Sequence, residues 1–453
     1  MVNSLVINTT IDTPVSRSFA FKRSFFATRK RYAFIFGLLL NLLIINDLIR
    51  MIFSKNGASI SLIQYLSYGL VLLFSIIYFF AFKKPDAKRK IVMFGLSILL
   101  LTALSMLLIK DVSFFLKGFF PVLFSRCLPA FILAMLIDGV SVEMLKHSLI
   151  KYRFLWIVYA AVGTLFISRN AVAWGQYASN FGFNLLLPFS ICFYLFLNKA
   201  KEFKETSKQL KAKRKSIKRE SFKWILYSLF FILIIVLRGS RTAFLCGVLF
   251  VFFAFFFAGL LNKKSRIILF LVLLVLVLLS TVLLRPIASL LLTIFPSSRT
   301  LSLLLTNISF DSGRSEIQSL FLEGIKNNPL AFKGLLSDRF FYSINNKVTL
   351  DITNYPHNFI IEIIYQFGVI LGVIFLLMLF WLFVKTMFEL RRKRFKNSFL
   401  VFLFYFFFVS GVLRLFFSSS YLTTFEFYAF VGVAIKINIL AKQKLTIVPV
   451  LRL

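Results

Sequence analysis

The sequence is poor in the residues that most soluble enzymes use for chemistry. Its 453 residues include two histidines and three cysteines, and 17 acidic residues face 54 lysines and arginines. Cys127, Cys192 and Cys246 each lie inside an apolar block, which leaves no disulfide framework and no metal site. The first external loop, SKNGASI, has no acidic residue of the kind a metal-using membrane enzyme would need. Residues 1–32 are basic and polar, without a short apolar stretch and small-residue cleavage site, so no cleavable signal peptide is expected. The chain shows no internal repeat.

Apolar residues are what the chain has in excess: 59% of the total, with a mean hydropathy of +0.86. A single soluble core could not bury them. They fall in blocks of roughly 15 to 25 residues, the length a helix needs to cross about 30 Å of hydrocarbon. The roughly ten-residue alternation of a membrane barrel is missing, so the expected fold is an all-α integral membrane protein. Spans are predicted at 33–53, 61–82, 91–109, 119–137, 154–168, 181–198, 224–237, 243–261, 267–284, 358–384, 398–415 and 422–440. The organisation that follows is a basic N-terminus (1–32), helices one to six (33–198), a basic loop (199–223) and helices seven to nine (224–284). A long loop (285–357), helices ten to twelve (358–440) and a tail (441–453) complete it.

A net charge of +37 would suggest nucleic acid in a soluble protein. Here its location matters more. The N-terminus, the tail and the loops 83–90, 138–153, 199–223, 262–266 and 385–397 carry 37 of the 54 basic residues, all on one side of an alternating topology of about twelve spans. That side is expected to be the cytoplasm, with both termini in it. The loop 285–357 then lies outside. Within it DSGRSEIQSLFLEGIKNN reads as a helix capped by Asp311 or Ser312 and stopped at Asn327-Asn328-Pro329. Its Ile317, Leu320, Phe321 and Ile325 recur at the spacing of an amphipathic helix lying on the membrane face.

The candidate functional residues sit on the outer face. Arg238 and Arg241, in LRGSRTAFLCG, flank the turn between spans seven and eight, where Ser240 and a helix N-terminus could help them hold an anion such as phosphate. The alternative is that both reach to lipid headgroups. Arg314 could add a third cation from the loop helix. Arg126 lies inside span four, where an arginine costs at least about 2.5–3.5 kcal/mol without a partner or purpose; Asp47 or Glu362 could serve. Asp47 and Arg50, three residues apart, read as a local ion pair. His357 precedes span ten, where the helix dipole and nearby arginines should lower its pKa and leave the neutral imidazole of a general base.

The segments LRGSRTAFLCG, DSGRSEIQSLFLEGIKNNPLAFKG and YPHNFIIEIIYQFGVILG, in this order and flanked by these spans, resemble the O-antigen polymerase and O-antigen ligase superfamily. The resemblance covers about 130 residues, from Arg238 to Gly372. It implies a GT-C-like fold and an inverting, metal-independent glycosyltransferase of the bacterial inner membrane that needs no cofactor. Its implied substrates are an undecaprenyl-diphosphate-linked glycan donor and a glycan acceptor, with a chain-length regulator and a flippase as partners and no nucleic acid. By the same resemblance Arg241 and Arg314 hold the diphosphate and His357 activates or orients the acceptor hydroxyl. The chain departs from the family pattern at Pro329–Gly334, where a Gly-x-Gly pair lacks its second glycine. A secondary transporter should show two similar halves and short outer loops, and a flippase should carry its cations along an internal cavity; the asymmetric loop 285–357 argues against the former. Between the two family activities, polymerisation of lipid-linked repeat units is preferred to ligation onto a terminal acceptor.

Overall fold

Backbone amides surrounded by hydrocarbon must find partners within their own segment, and among the described residues every regular element is a helix. The computed structural model describes residues 15–52, 57–81, 85–109, 111–169, 175–207, 210–238, 241–257, 314–391 and 399–443, with isolated residues between 286 and 305. The helices are α1 (Val15–Ile52), α2 (Gly57–Ala81), α3 (Pro85–Ile109), α4 (Val112–Leu136), α5 (Gly139–Lys151), α6 (Arg153–Arg169) and α7 (Gly175–Glu205). They continue with α8 (Lys211–Arg238), α9 (Arg241–Phe257), α10 (Arg314–Asn327), α11 (Ser337–Asn346), α12 (Phe359–Leu390), α13 (Phe399–Phe416) and α14 (Phe425–Lys442).

Seven of these helices are long and apolar enough to cross a membrane, and three shorter apolar helices, Leu66–Ala81, Arg153–Leu165 and Thr242–Phe255, fall at further expected spans. The expected ninth span, 267–284, lies outside the described residues. α14 occupies the place of the twelfth and buries Glu426 and Lys436 inside the bundle. It lies along the second half of α4 and against α12 and α13. α3 and the second half of α12 leave Leu100, Leu107, Leu377 and Trp381 pointing outward, the surface expected of helices solvated by lipid. Without a hydrophobic force between helices in lipid, close packing has to hold them, and stacked rings supply it: Phe94 on Phe131 at 3.8 Å and Phe383 on Phe408 at 4.2 Å between centroids.

The basic segment 199–223 is mostly helical. α7 runs on to Glu205 and α8 begins at Lys211, so the two form a hairpin. Lys199 pairs with Glu202 and Glu220 at 3.0 and 2.8 Å, which ties the two helices together.

Three helices depart from regular geometry near one end of the bundle. α4 contains two π-turns, Phe115–Phe119 and Leu123–Cys127, each followed within two residues by a proline, Pro121 or Pro129. A proline has no N–H for the i−4 carbonyl and its ring crowds that carbonyl, so the ladder widens to i−5 ahead of it. α13 passes from α-helix through a π-turn, Phe408–Val412, into a 3₁₀ turn, Leu413–Phe416. Gly411 in that π-turn lets the start of α14 approach, since a Cβ there would stand 2.5 Å from the Glu426 carbonyl. α12 is broken at Gly368, whose φ of 75° and ψ of 167° are not helical.

The segment 329–334 fills the break. Val369 N–H donates to the Pro329 carbonyl at 2.7 Å, and the N–H groups of Lys333 and Gly334 donate to the Gln366 carbonyl at 2.9 and 3.1 Å. The expected loop helix is present as α10, and its apolar residues meet protein: Phe321 packs on Phe341 and Tyr365, with ring centroids 5.5 and 5.3 Å apart. α11, which has no counterpart in the sequence reading, supplies Phe341. Together α10, α11 and the docked segment form a roof over the first half of α12.

Candidate active site

The roof is fastened by charge. Arg339 on α11, Asp338 beside it and Glu362 on α12 are fully buried. The Arg339 guanidinium donates to the Asp338 carboxylate, to Glu362 Oε1 at 2.6 Å and to Ser420 Oγ at 2.5 Å, while its Nε reaches the Ile352 carbonyl at 3.4 Å. Ser420 donates in turn to Glu362 Oε1 at 2.5 Å. Gln366 donates to Asp338 at 2.7 Å and accepts from Tyr421 at 2.5 Å. One side chain thus joins the roof, α12, the strand of chain before His357 and the turn after α13. Arg339 also lies over the Tyr355 ring, 5.3 Å from its centroid.

That ring is the wall against which His357 stands, 4.3 Å between centroids. Tyr355 is anchored by its hydroxyl, which donates to the Ser418 carbonyl at 2.8 Å. His357 has φ 53°, a left-handed conformation uncommon for a side chain of this size. Asn358 then caps α12, its side chain accepting from the N–H groups of Ile360 and Ile361 at 3.0 and 3.4 Å. Burial, followed by the positive charges of Arg314 and Arg339, pulls the His357 imidazole down to about 4, so it is neutral at pH 7. Its Nδ1 is buried and has no hydrogen-bond partner among the described residues. Arg314, the first residue of α10, donates from Nη1 to the Phe417 carbonyl, one residue from the anchor of Tyr355.

On the other side of Tyr355 a cavity of about 290 Å³ opens between α1, α4, α7 and the turn between α13 and α14. Arg126 and Arg414 line it, together with Asp47 and Glu426. Arg126 follows from the second π-turn of α4 and Arg414 from the π-turn of α13, and π-turns recur at functional sites. Asp47 accepts from Tyr159 OH at 3.0 Å and Asn184 Nδ2 at 2.6 Å; the Arg50 side chain expected beside it lies outside the described residues. Glu362, the other carboxylate considered for Arg126, is held by Arg339 instead. Arg414 pairs with Glu426 at 3.4 Å and stacks on Phe183 at 3.7 Å. Asp47, Asn184 and Glu426 lie toward the ends of their helices opposite Arg31, Lys199 and Lys442, and Arg126 lies in the middle of α4.

The structure therefore brings His357 and Arg314 together at one corner and sets Arg126 across Tyr355 from them. Arg238 closes α8 and Arg241 opens α9, but their side chains, and Ser240, lie outside the described residues. α9 itself packs against Leu413–Phe416, the 3₁₀ turn that carries Arg414. Arg339 and Arg414 are the arginines that sequence reading missed.

Residues 226–376 match the protein family described as O-antigen ligase. The match covers about a third of the chain and supports an assignment of that segment to the O-antigen ligase and polymerase superfamily. No curated protein and no solved structure matches it. The O-antigen ligase segment runs from α8 to just beyond the Gly368 break, so it contains Arg238, Arg241, Arg314, Arg339 and His357 but not Arg126 or Arg414. Two residues after Gly334, where this chain lacks the second glycine of the pattern it resembles, stands Leu336 at φ 66°. The backbone keeps the left-handed turn that a glycine would adopt freely, and the fully buried Leu336 side chain packs into the bundle.

Proposed function

We propose that this membrane enzyme polymerises undecaprenyl-diphosphate-linked oligosaccharide repeat units into surface polysaccharide on the extracytoplasmic face of the inner membrane, with both termini in the cytoplasm. The observation that carries the reading is a buried, neutral His357 within the field of Arg314, inside a segment of O-antigen ligase type. His357 is placed as the group that takes the proton of the acceptor hydroxyl. The hydroxyl oxygen bonds to the anomeric carbon as the bond from that carbon to the diphosphate oxygen breaks, with inversion. Arg314, Arg241 and Arg238 are assigned to the departing diphosphate, whose charge preorganised guanidiniums can hold without a metal. Arg126 is assigned to substrate binding.

The second reading, ligation of a finished glycan onto a terminal acceptor, draws on the ligase description of the matched family. Sizing the lipid-linked intermediates of a deletion strain separates the two. Single repeats accumulate if the enzyme is the polymerase, and long lipid-linked chains accumulate if it is the ligase. Loss of extracytoplasmic repeats would mean a flippase and overturn both. In the same strain, His357→Ala and Arg241→Ala should restore the protein to the membrane but not the polysaccharide. Full-length product from either variant would sink the site assignment.

A further inference from the structure

A lipid-linked glycan has two chemically different parts. The diphosphate offers only acceptors and negative charge, and a site for it should present donors without facing carboxylates. A sugar ring is uncharged and each of its hydroxyls both donates and accepts; a site for it should mix donors with acceptors and be close to neutral.

The cavity beside Tyr355 has the second character. Among the described residues that line it, two guanidiniums, Arg126 and Arg414, are accompanied by two carboxylates, Asp47 and Glu426. Amides from α7 and hydroxyls from the turn after α13 complete the lining. Asp47 is held in place by Tyr159 and Asn184, which fixes the direction of an acceptor. Donors remain over on residues that line it: Arg126 Nε, Arg414 Nε and Ser418 Oγ are buried with no protein partner among the described residues. Buried donors are rarely left unmatched, and three at one cavity indicate a polar occupant. At the His357 corner the carboxylates Asp338 and Glu362 are engaged by Arg339, and Arg314 is a second cation beside the imidazole.

Chain organisation separates the two in the same way. Asp47, Arg126, Asn184, Arg414 and Glu426 all fall outside residues 226–376, whereas His357 and Arg314 fall within them. From these observations we infer that the cavity between α1, α4, α7 and the α13–α14 turn is a glycosyl-recognition subsite, distinct from the diphosphate site, in which Asn184 and Arg126 read sugar hydroxyls. The inference rests on the glycosyltransferase reading and adds to it the location of sugar specificity: residues outside the matched segment 226–376. The diphosphate is handled by one set of arginines and the sugar by another.

The test compares two probes on the full-length protein in detergent: undecaprenyl diphosphate without sugar, and the lipid-linked repeat unit extracted from the deletion strain. Asn184→Ala and Arg126→Gln should each weaken binding of the repeat unit by about tenfold, the loss of one well-made hydrogen bond. Binding of undecaprenyl diphosphate should stay within about twofold of wild type, which also shows that the variants are folded. If both probes weaken together, the cavity holds the diphosphate and the inference is wrong. If neither weakens, the cavity holds no part of the substrate. If the wild-type protein binds neither probe, the glycosyltransferase reading fails before the subsite is reached.

Discussion

A histidine with a pKa of about 4 is a weak base at rest. Its depression comes from burial and from Arg314 and Arg339, and the arginine part of it changes when an anion arrives. A diphosphate laid on Arg314 offsets that positive field, so the imidazole becomes more basic in the substrate complex than in the free enzyme. The acid limb of kcat/KM, which reports the free enzyme, should therefore fall near pH 4, and the acid limb of kcat should lie at higher pH. Coincident limbs would remove His357 from the role of base. The same depressed pKa ties stability to pH. An unfolded histidine, with a pKa near 6.5, binds a proton between pH 6.5 and 4 that the folded one refuses, so the folded protein loses stability as pH falls through that window.

Arg339 makes a separate prediction at this scale. Removing one partner of a buried ion pair strands the others, at about 3–5 kcal/mol. Arg339→Met leaves Asp338 and Glu362 uncompensated and should lower the thermal unfolding temperature in detergent clearly; an unchanged melting curve would show that the network does not hold the roof. His357 and Arg314 were legible from sequence because a lone histidine and an arginine in a recurring motif stand out by type. Arg126 was legible by cost. Arg339 was not, because SDRFFYS reads as a solvated loop and its partners Glu362 and Ser420 lie 23 and 81 residues away. Arg414 carries the signal of Arg126, an arginine in the apolar run GVLRLFF, but the end of a span also suits an arginine reaching to headgroups.

At the scale of elements, the break in α12 decides how the roof sits. QFGVILG lies in an uninterrupted apolar run and predicts continuous helix. The interruption at Gly368 depends on the carbonyl of Leu330, which a Cβ at 368 would approach to 2.8 Å. Gly368→Ala forces either the non-helical backbone, at roughly 1–3 kcal/mol, or withdrawal of the segment 329–334. Loss of transfer activity with a lowered unfolding temperature is expected, and wild-type behaviour in both would mean that the docked segment is dispensable. Three of the four apolar positions expected of α10, Ile317, Phe321 and Ile325, face the cluster built on Tyr365, and Leu320 is not among them. What covers that face was not legible, because amphipathic spacing says that a surface is buried without naming its partner.

For the whole molecule, helix content and seven long apolar helices among the described residues followed from hydropathy, and the alternation of basic loops predicts a side for each end. By that count the His357 corner and the cavity are expected on the outer side. Reporter fusions should report cytoplasm after Leu210 and Lys442 and the outer side after Asn346. An outer reading at Leu210 or Lys442, or an inner one at Asn346, would invert or break the topology.

The π-turns of α4 and α13 have a further consequence. Each holds one residue more than a regular helical turn, and a residue in a helix corresponds to about 100° of rotation. Deleting a single residue from Phe408–Val412 would remove that extra residue and let α13 continue as ordinary helix with Arg414 near its present direction, whereas the same deletion from the regular turns Phe399–Phe407 would swing Arg414 about 100° away from Glu426 and Phe183. The aim of each cavity arginine is in this sense a matter of register: it is set by how many residues precede it, and a frame-preserving deletion that hydropathy cannot detect would be enough to disarm the site.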